Sequence, residues 1–155
     1  MELHERTSPY GLFFRFTGTT ATDLDSTIVA QFQSAVMRYY QNNGRRFPWR
    51  ETSEPYHILV SEIMLQQTQT VRVVPKFHEF ISAFPSFYSL ASASLQDILS
   101  VWQGLGYNRR AKALKTIGEI VVGEHRGNLP DAPETLEKFP GIGWATARSI
   151  IAFAY

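Results

Sequence analysis

The sequence predicts an all-α protein. Two observations carry that prediction. Apolar residues recur at three- and four-residue spacing through several stretches, and no stretch alternates apolar and polar residues over a useful strand length. At 155 residues the chain is long enough to bury a real core. No repeat or low-complexity segment interrupts it. Residues 1–24 are set apart as an N-terminal extension of unassigned role, because Pro9-Tyr10-Gly11 and Gly18-Thr19-Thr20 break any periodicity. Residues 25–155 form the expected helical domain.

The elements follow in order. Asp23 or Asp25 is placed to cap a helix running to about Asn42, with Ile28, Phe32 and Val36 at helical spacing, and Asn43-Gly44 ends it. Arg45–Arg50 reads as an extended basic and aromatic connector, since Pro48 disfavours helix just before it. Pro55 opens a helix through about Gln67. Another covers Thr70–Ala83 and stops before Pro85. Short helices are expected near Ser86–Leu90 and Leu95–Val101, then a tight turn at Gly104-Leu105-Gly106 and a longer helix from Tyr107 to about Glu124. Asp131 and Glu134 have capping-box spacing for a helix to Lys138. A glycine hairpin at 140–143 precedes the final helix.

Composition excludes several functions. Net charge is +1, so any nucleic-acid contact must come from local patches and backbone amides. The absence of cysteine excludes disulfides, thiolate metal sites and a thiol nucleophile. No apolar run approaches the roughly 20 residues of a membrane span, and the first residues lack a basic start followed by an apolar stretch. The expectation is a soluble monomer with no membrane contact. It would be cytoplasmic and nucleoid-associated in a bacterium, nuclear in a eukaryote.

Three motifs carry chemistry. Glu62 sits among Ile58, Leu59, Val60, Ile63, Met64 and Leu65, which surround nearly the whole helix. A carboxyl there is poorly solvated, its pKa rises, and it becomes fit to act as a general acid. The same spacing fits a structural glutamate paired with an arginine. The run Gln66–Thr70 offers donors and acceptors for base edges, or is simply a polar helix end. Pro140-Gly141-Ile142-Gly143 opens a helix whose first-turn N–H groups and dipole suit a phosphate. Ile142 is expected to pack inward. On the helix from Tyr107, residues Ala111, Leu114, Ile117 and Val121 form a core stripe. Arg109, Lys112 and Lys115 lie opposite, as phosphate contacts or as a solvated face. Tyr107 reads either as a wedge into DNA or as a core aromatic.

The segments 48–70, 102–114 and 139–155 resemble the helix-hairpin-helix DNA glycosylases, and most of all their adenine-specific branch. The resemblance runs from about Ser26 to Tyr155. It implies an incomplete helical bundle of that fold, lacking the C-terminal part. It also implies a monofunctional enzyme of base excision repair that removes adenine mispaired with 8-oxoguanine or guanine from double-stranded DNA. Glu62 matches the catalytic acid. Trp49 and Arg50 match positions lining the adenine pocket, Gln67 and Thr68 match contacts to the lesion pair, and Leu105 and Tyr107 match the wedge. Gly141 and Gly143 match the phosphate hairpin; Arg109 and Lys112 remain candidate phosphate contacts from their own position on the helix. Ala145 stands where bifunctional relatives carry a Schiff-base lysine. The family's second carboxylate and its four-cysteine [4Fe-4S] cluster lie further along than Tyr155, so the expectation is a truncated chain with no cofactor and little activity alone. Two alternatives stand: a glycosylase for another base such as thymine, and a non-catalytic DNA-binding module.

Overall fold

The computed structural model describes residues 26–155. The expected extension, its boundary at residue 24 and the caps Asp23 and Asp25 lie outside the described residues. The chain divides after Arg45 into two units. In the first, α1 spans Ser26–Asn43. The side-chain amide of Asn43 donates to the Tyr39 carbonyl at 3.0 Å, occupying one of the helix's last acceptors. A Cβ on Gly44 would lie 2.5 Å from the Tyr40 carbonyl, so only glycine leaves the helix by this path.

The second unit holds the rest of the helices: α2 (Pro55–Leu65), α3 (Thr70–Ala83), α4 (Phe87–Ser92), α5 (Leu95–Trp102), α6 (Arg109–His125), α7 (Pro133–Leu136) and α8 (Trp144–Ala154). None of the described residues forms a strand. The all-α prediction therefore stands. Helix α2 is the central element and packs against α3, α6 and α8. It buries Tyr56, Ile58, Leu59, Val60, Ser61, Ile63 and Met64, the near-circumferential pattern that its sequence requires. Glu54 caps it by accepting from the Tyr56 amide, with Pro55 at the first helical position. Helix α4 lies so close on α6 that a Cβ at Gly118 would meet the Leu90 side chain at 3.2 Å. Trp49, Trp102 and Phe80 are among the largest fully buried side chains.

Four expectations are corrected. Phe47 is extended before Pro48, as expected, but Pro48–Arg50 closes a 3₁₀ turn rather than continuing as an extended connector. Helix α2 stops at Leu65, two residues early. Helix α6 starts at Arg109, because Tyr107 takes a left-handed conformation, φ +48°. The Asp131–Glu134 capping box does not form. Ala132 is the cap residue, Pro133 presets the first turn, and the helix ends at Leu136.

Candidate active site and nucleic-acid interface

Glu62 is half-buried on α2, a helix where Ile58, Leu59 and Ile63 are buried. None of the described residues hydrogen-bonds or ion-pairs with its carboxyl group. Burial pushes its pKa up, and the Arg50 guanidinium offsets part of that rise. Arg50 itself is exposed and rests 3.4 Å above the centre of the Phe153 ring. The arginine thus moderates the acid from a distance and does not quench it. Trp49 is placed differently from the expectation of a pocket-lining residue. It is 1 % exposed, stacked on Phe47 at 5.2 Å and edge-on to Phe77 at 5.5 Å. It braces the turn that carries Arg50.

The end of α2 is set by Arg110, a residue the sequence analysis did not single out. Its Nη1 donates to the carbonyls of Ile63 (3.2 Å), Met64 (2.9 Å) and Gln66. The first two are the acceptors that the amides of Gln67 and Thr68 would use if the helix continued. The guanidinium replaces those donors, and the backbone turns away. Gln66 leaves the helical region, ψ 112°, and Gln67 is left-handed, φ +53°. The Gln66 side chain then reaches the Gly141 carbonyl at 2.9 Å, so it ties α2 to the hairpin instead of facing a base. Gln67 is exposed and Thr68 half-buried.

Arg110 Nη2 donates to Thr68 Oγ1 (3.0 Å) and to the carbonyls of Leu105 (3.1 Å) and Gly106 (3.2 Å). Arg72 on α3 donates to the Gly104 carbonyl, and Trp102 Nε1 donates to that of Gly106 at 3.0 Å. The turn is held from both sides. Of the two expected wedge residues, Leu105 is in the core, 3 % exposed, whereas Tyr107 is 55 % exposed. A side chain sealed in the core has no free face to present to a base stack, which leaves Tyr107 as the residue presented to solvent. The signal for Arg110 was available: it sits four residues before Leu114, on the apolar stripe of α6.

In the hairpin, Ile142 packs inward at 5 % exposure, as expected. Gly141 is left-handed, φ +78°. Gly143 has an ordinary φ of −99°, and a Cβ there would meet nothing within 4 Å. Neither backbone strain nor packing among the described residues requires that glycine. What it leaves is open space at the start of α8. The N–H groups of Gly143, Trp144, Ala145 and Thr146 find no acceptor among the described residues. Trp144, also missed, is 65 % exposed beside these amides, with the Arg148 guanidinium 4.3 Å from its ring centre. Arg109 is exposed and lines a cavity of about 430 Å³ together with Gln66, Pro140 and Gly141. Lys112 is exposed. Lys115 is not available as a third free cation, because it pairs with Glu119 at 2.8 Å and donates to the Ala91 carbonyl.

The sequence profile of the HhH-GPD superfamily of base excision DNA repair proteins matches residues 60–153, which hold the acid, Arg110 and the hairpin. The chain belongs to this superfamily. An adenine DNA glycosylase of Mycobacterium tuberculosis is 40 % identical over 121 residues, covering 77 % of this chain and 40 % of the relative. A mouse adenine DNA glycosylase is 34 % identical over 162 residues, covering 99 % of this chain and 30 % of the relative. The chain thus spans well under half the length of these relatives. Among solved structures, a thermostable thymine-DNA glycosylase superposes with a TM-score of 0.73 at 27 % identity, over 84 % of this chain and 61 % of that one. An endonuclease III–DNA complex shares the fold, with a TM-score of 0.66 at 15 % identity over 81 % of this chain and 59 % of that one.

Proposed function

We propose that this chain carries the catalytic acid and the phosphate-binding hairpin of an adenine-specific DNA glycosylase, acting on adenine opposite 8-oxoguanine or guanine. The observation that carries the reading is Glu62: an unpartnered, desolvated carboxyl on the central helix, one turn from the segment that both glycine turns grip. The relatives named adenine DNA glycosylase support the choice of base.

The chemistry follows from the parts. A base inside a duplex cannot be reached, so it must be extruded at a cost of a few kcal/mol. The open amides at the start of α8, with Arg109 and Lys112, hold the backbone without reading sequence. Tyr107 and Gln67 enter the gap. Adenine leaves poorly until a ring nitrogen is protonated, and Glu62 donates that proton. The sugar passes through an oxocarbenium-like state, and water completes the hydrolysis. Ala145 has no amine to form a Schiff base, which supports hydrolysis without strand cleavage.

The test is a graft. Residues 46–155 replace the matching segment of the M. tuberculosis relative, and base release is followed under single turnover. The reading expects adenine release opposite 8-oxoguanine and opposite guanine, abolished by Glu62→Gln. Insensitivity to that substitution would sink it. A second reading, thymine removal, is favoured by the 27 % identical thymine-DNA glycosylase. Release from a T·G duplex in place of A·8-oxoguanine decides for it.

A further inference from the structure

One guanidinium touches two loops that are remote in sequence, and each loop carries an exposed left-handed residue. Gln67 (φ +53°) is flanked by Gln66, whose carbonyl accepts from Arg110, and by Thr68, whose hydroxyl does the same. Tyr107 (φ +48°) follows Leu105 and Gly106, whose carbonyls both accept from Arg110. A left-handed conformation costs a residue with a side chain about 1–2 kcal/mol. It persists only where the surroundings over-determine it. Here the same cation does so twice.

The character of Arg110 excludes a simple ion pair. It is 6 % exposed and forms no salt bridge among the described residues. Its charge is met by six oxygens, three of them carbonyls at the C-terminal end of α2, where the helix dipole is negative. Its Nε is buried with no partner. The group is placed so that its two outer nitrogens serve the two loops, even though the inner one is left unsatisfied. A fully satisfied apolar core would be no less stable. What the arginine supplies is a fixed fork of donors with defined directions.

We propose that Arg110 is a positioning residue: it sets the backbone conformation and mutual placement of Gln67 and Tyr107, and so governs discrimination of the lesion pair without touching DNA. This rests on the function proposed above, which assigns those two side chains to the duplex gap. A displacement of about 1 Å in such probes can cost two orders of magnitude, so a cation that fixes both at once controls selectivity more than affinity.

The experiment uses the 155-residue chain and its Arg110→Lys variant. Lysine keeps the charge and has three donors on one nitrogen, so it cannot span both loops. Dissociation constants are measured on two duplexes that differ only in one A·8-oxoguanine or A·T pair. Wild type should prefer the lesion duplex. Arg110→Lys should reduce that preference by at least about tenfold, with affinity for the A·T duplex changed less than about twofold and cooperative unfolding retained. A variant that keeps the preference overturns the assignment alone. A wild type without preference overturns it together with the reading beneath it. If Arg110→Lys does not fold, native-state hydrogen exchange of wild type decides. The amides of Thr68, Leu105 and Arg110, bonded to Leu65, Trp102 and Tyr107, should be as protected as those of α2. Rapid exchange at both loops overturns the proposal.

Discussion

Two short segments of this molecule share a pattern and are built in opposite ways. Gly104-Leu105-Gly106 leads into α6, and Gly141-Ile142-Gly143 leads into α8. In both, the first glycine is left-handed (φ +96° and +78°) and the aliphatic residue is buried (3 % and 5 % exposed). The first turn has the carbonyls of all three residues bound by Arg72, Arg110 and Trp102. The Arg110 amide closes on the Tyr107 carbonyl at 2.9 Å. The second turn has a side-chain donor only on its Gly141 carbonyl, from Gln66, while the amides that directly follow find no acceptor among the described residues in either turn. A turn whose carbonyls are all held by side chains fixes the residues it carries; a turn held at one carbonyl is left freer. The glycine spacing alone does not distinguish the two. Their neighbours do.

Both turns dock on the end of α2, and Glu62 lies one turn back from that junction. Its loss should have the largest effect of any single change. Glu62→Gln should lower adenine release in the grafted enzyme by about 10²–10⁴-fold, the usual worth of a general acid. Because the acid must be protonated, the wild-type rate should fall as pH rises through its elevated pKa. Stability should move the same way. The folded state holds the Glu62 proton to a higher pH than the unfolded chain, whose value is about 4.3. Wild type therefore loses stability as pH rises through that window. Glu62→Gln should unfold later than wild type in neutral urea titrations and together with it below about pH 4. Equal stability at neutral pH would mean the carboxyl is not desolvated.

Arg110→Met should break the saturated turn next. Several buried carbonyls would lose their donor at about 1–3 kcal/mol for each one left unpaired, so an overall loss of about 3 kcal/mol in urea unfolding is expected. A loss below about 1 kcal/mol would show that the loops find other donors.

Much of this arrangement was legible before any coordinates. The apolar circumference of α2 placed Glu62, and the glycine spacing with Ile142 placed the hairpin, because both depend on local periodicity and conformational freedom. The rest was not local. Helix α2 ends at Leu65 because a side chain 45 residues further on takes its carbonyls, and nothing in 61–70 announces that. Tyr107 was read as helical because no propensity marks a tyrosine for φ +48°. Leu105 and Trp49 were assigned to a DNA-facing surface by resemblance, yet their side chains fill the core, as their apolar character alone would suggest. In the sequence, Arg110 shows as a cation on the apolar stripe of α6, and only its carbonyl acceptors give that position a role.

The two hairpin glycines sharpen the comparison further. Gly143→Ala adds a methyl group into open space at an ordinary φ, so its stability cost is that of a poorer cap on α8, about 1 kcal/mol or less. Duplex affinity should fall by about tenfold if a phosphate occupies that space. Gly141→Ala forces a side chain to φ +78° and should cost about 1–2 kcal/mol of stability. Intrinsic fluorescence separates binding from folding here. Trp49 and Trp102 are buried and Trp144 is 65 % exposed, so acrylamide quenches Trp144 first. Duplex DNA on the hairpin should shield it in wild type and shield it less in Gly143→Ala.

The smallest expected effect belongs to Gln66, which joins the two constructions. Its amide holds the Gly141 carbonyl at 2.9 Å, while its own carbonyl is held by Arg110. Gln66→Leu removes the first bond and keeps the second. The Gly141 carbonyl is exposed enough to take water in exchange, so stability should fall by about 0.5–1 kcal/mol in urea unfolding. Duplex affinity should weaken only about two- to fivefold, the share of one neutral hydrogen bond. A much larger loss of affinity with unchanged stability would mean that Gln66 releases the hairpin and turns to DNA once the duplex is bound. In that case the open turn, and not the saturated one, is the part that moves.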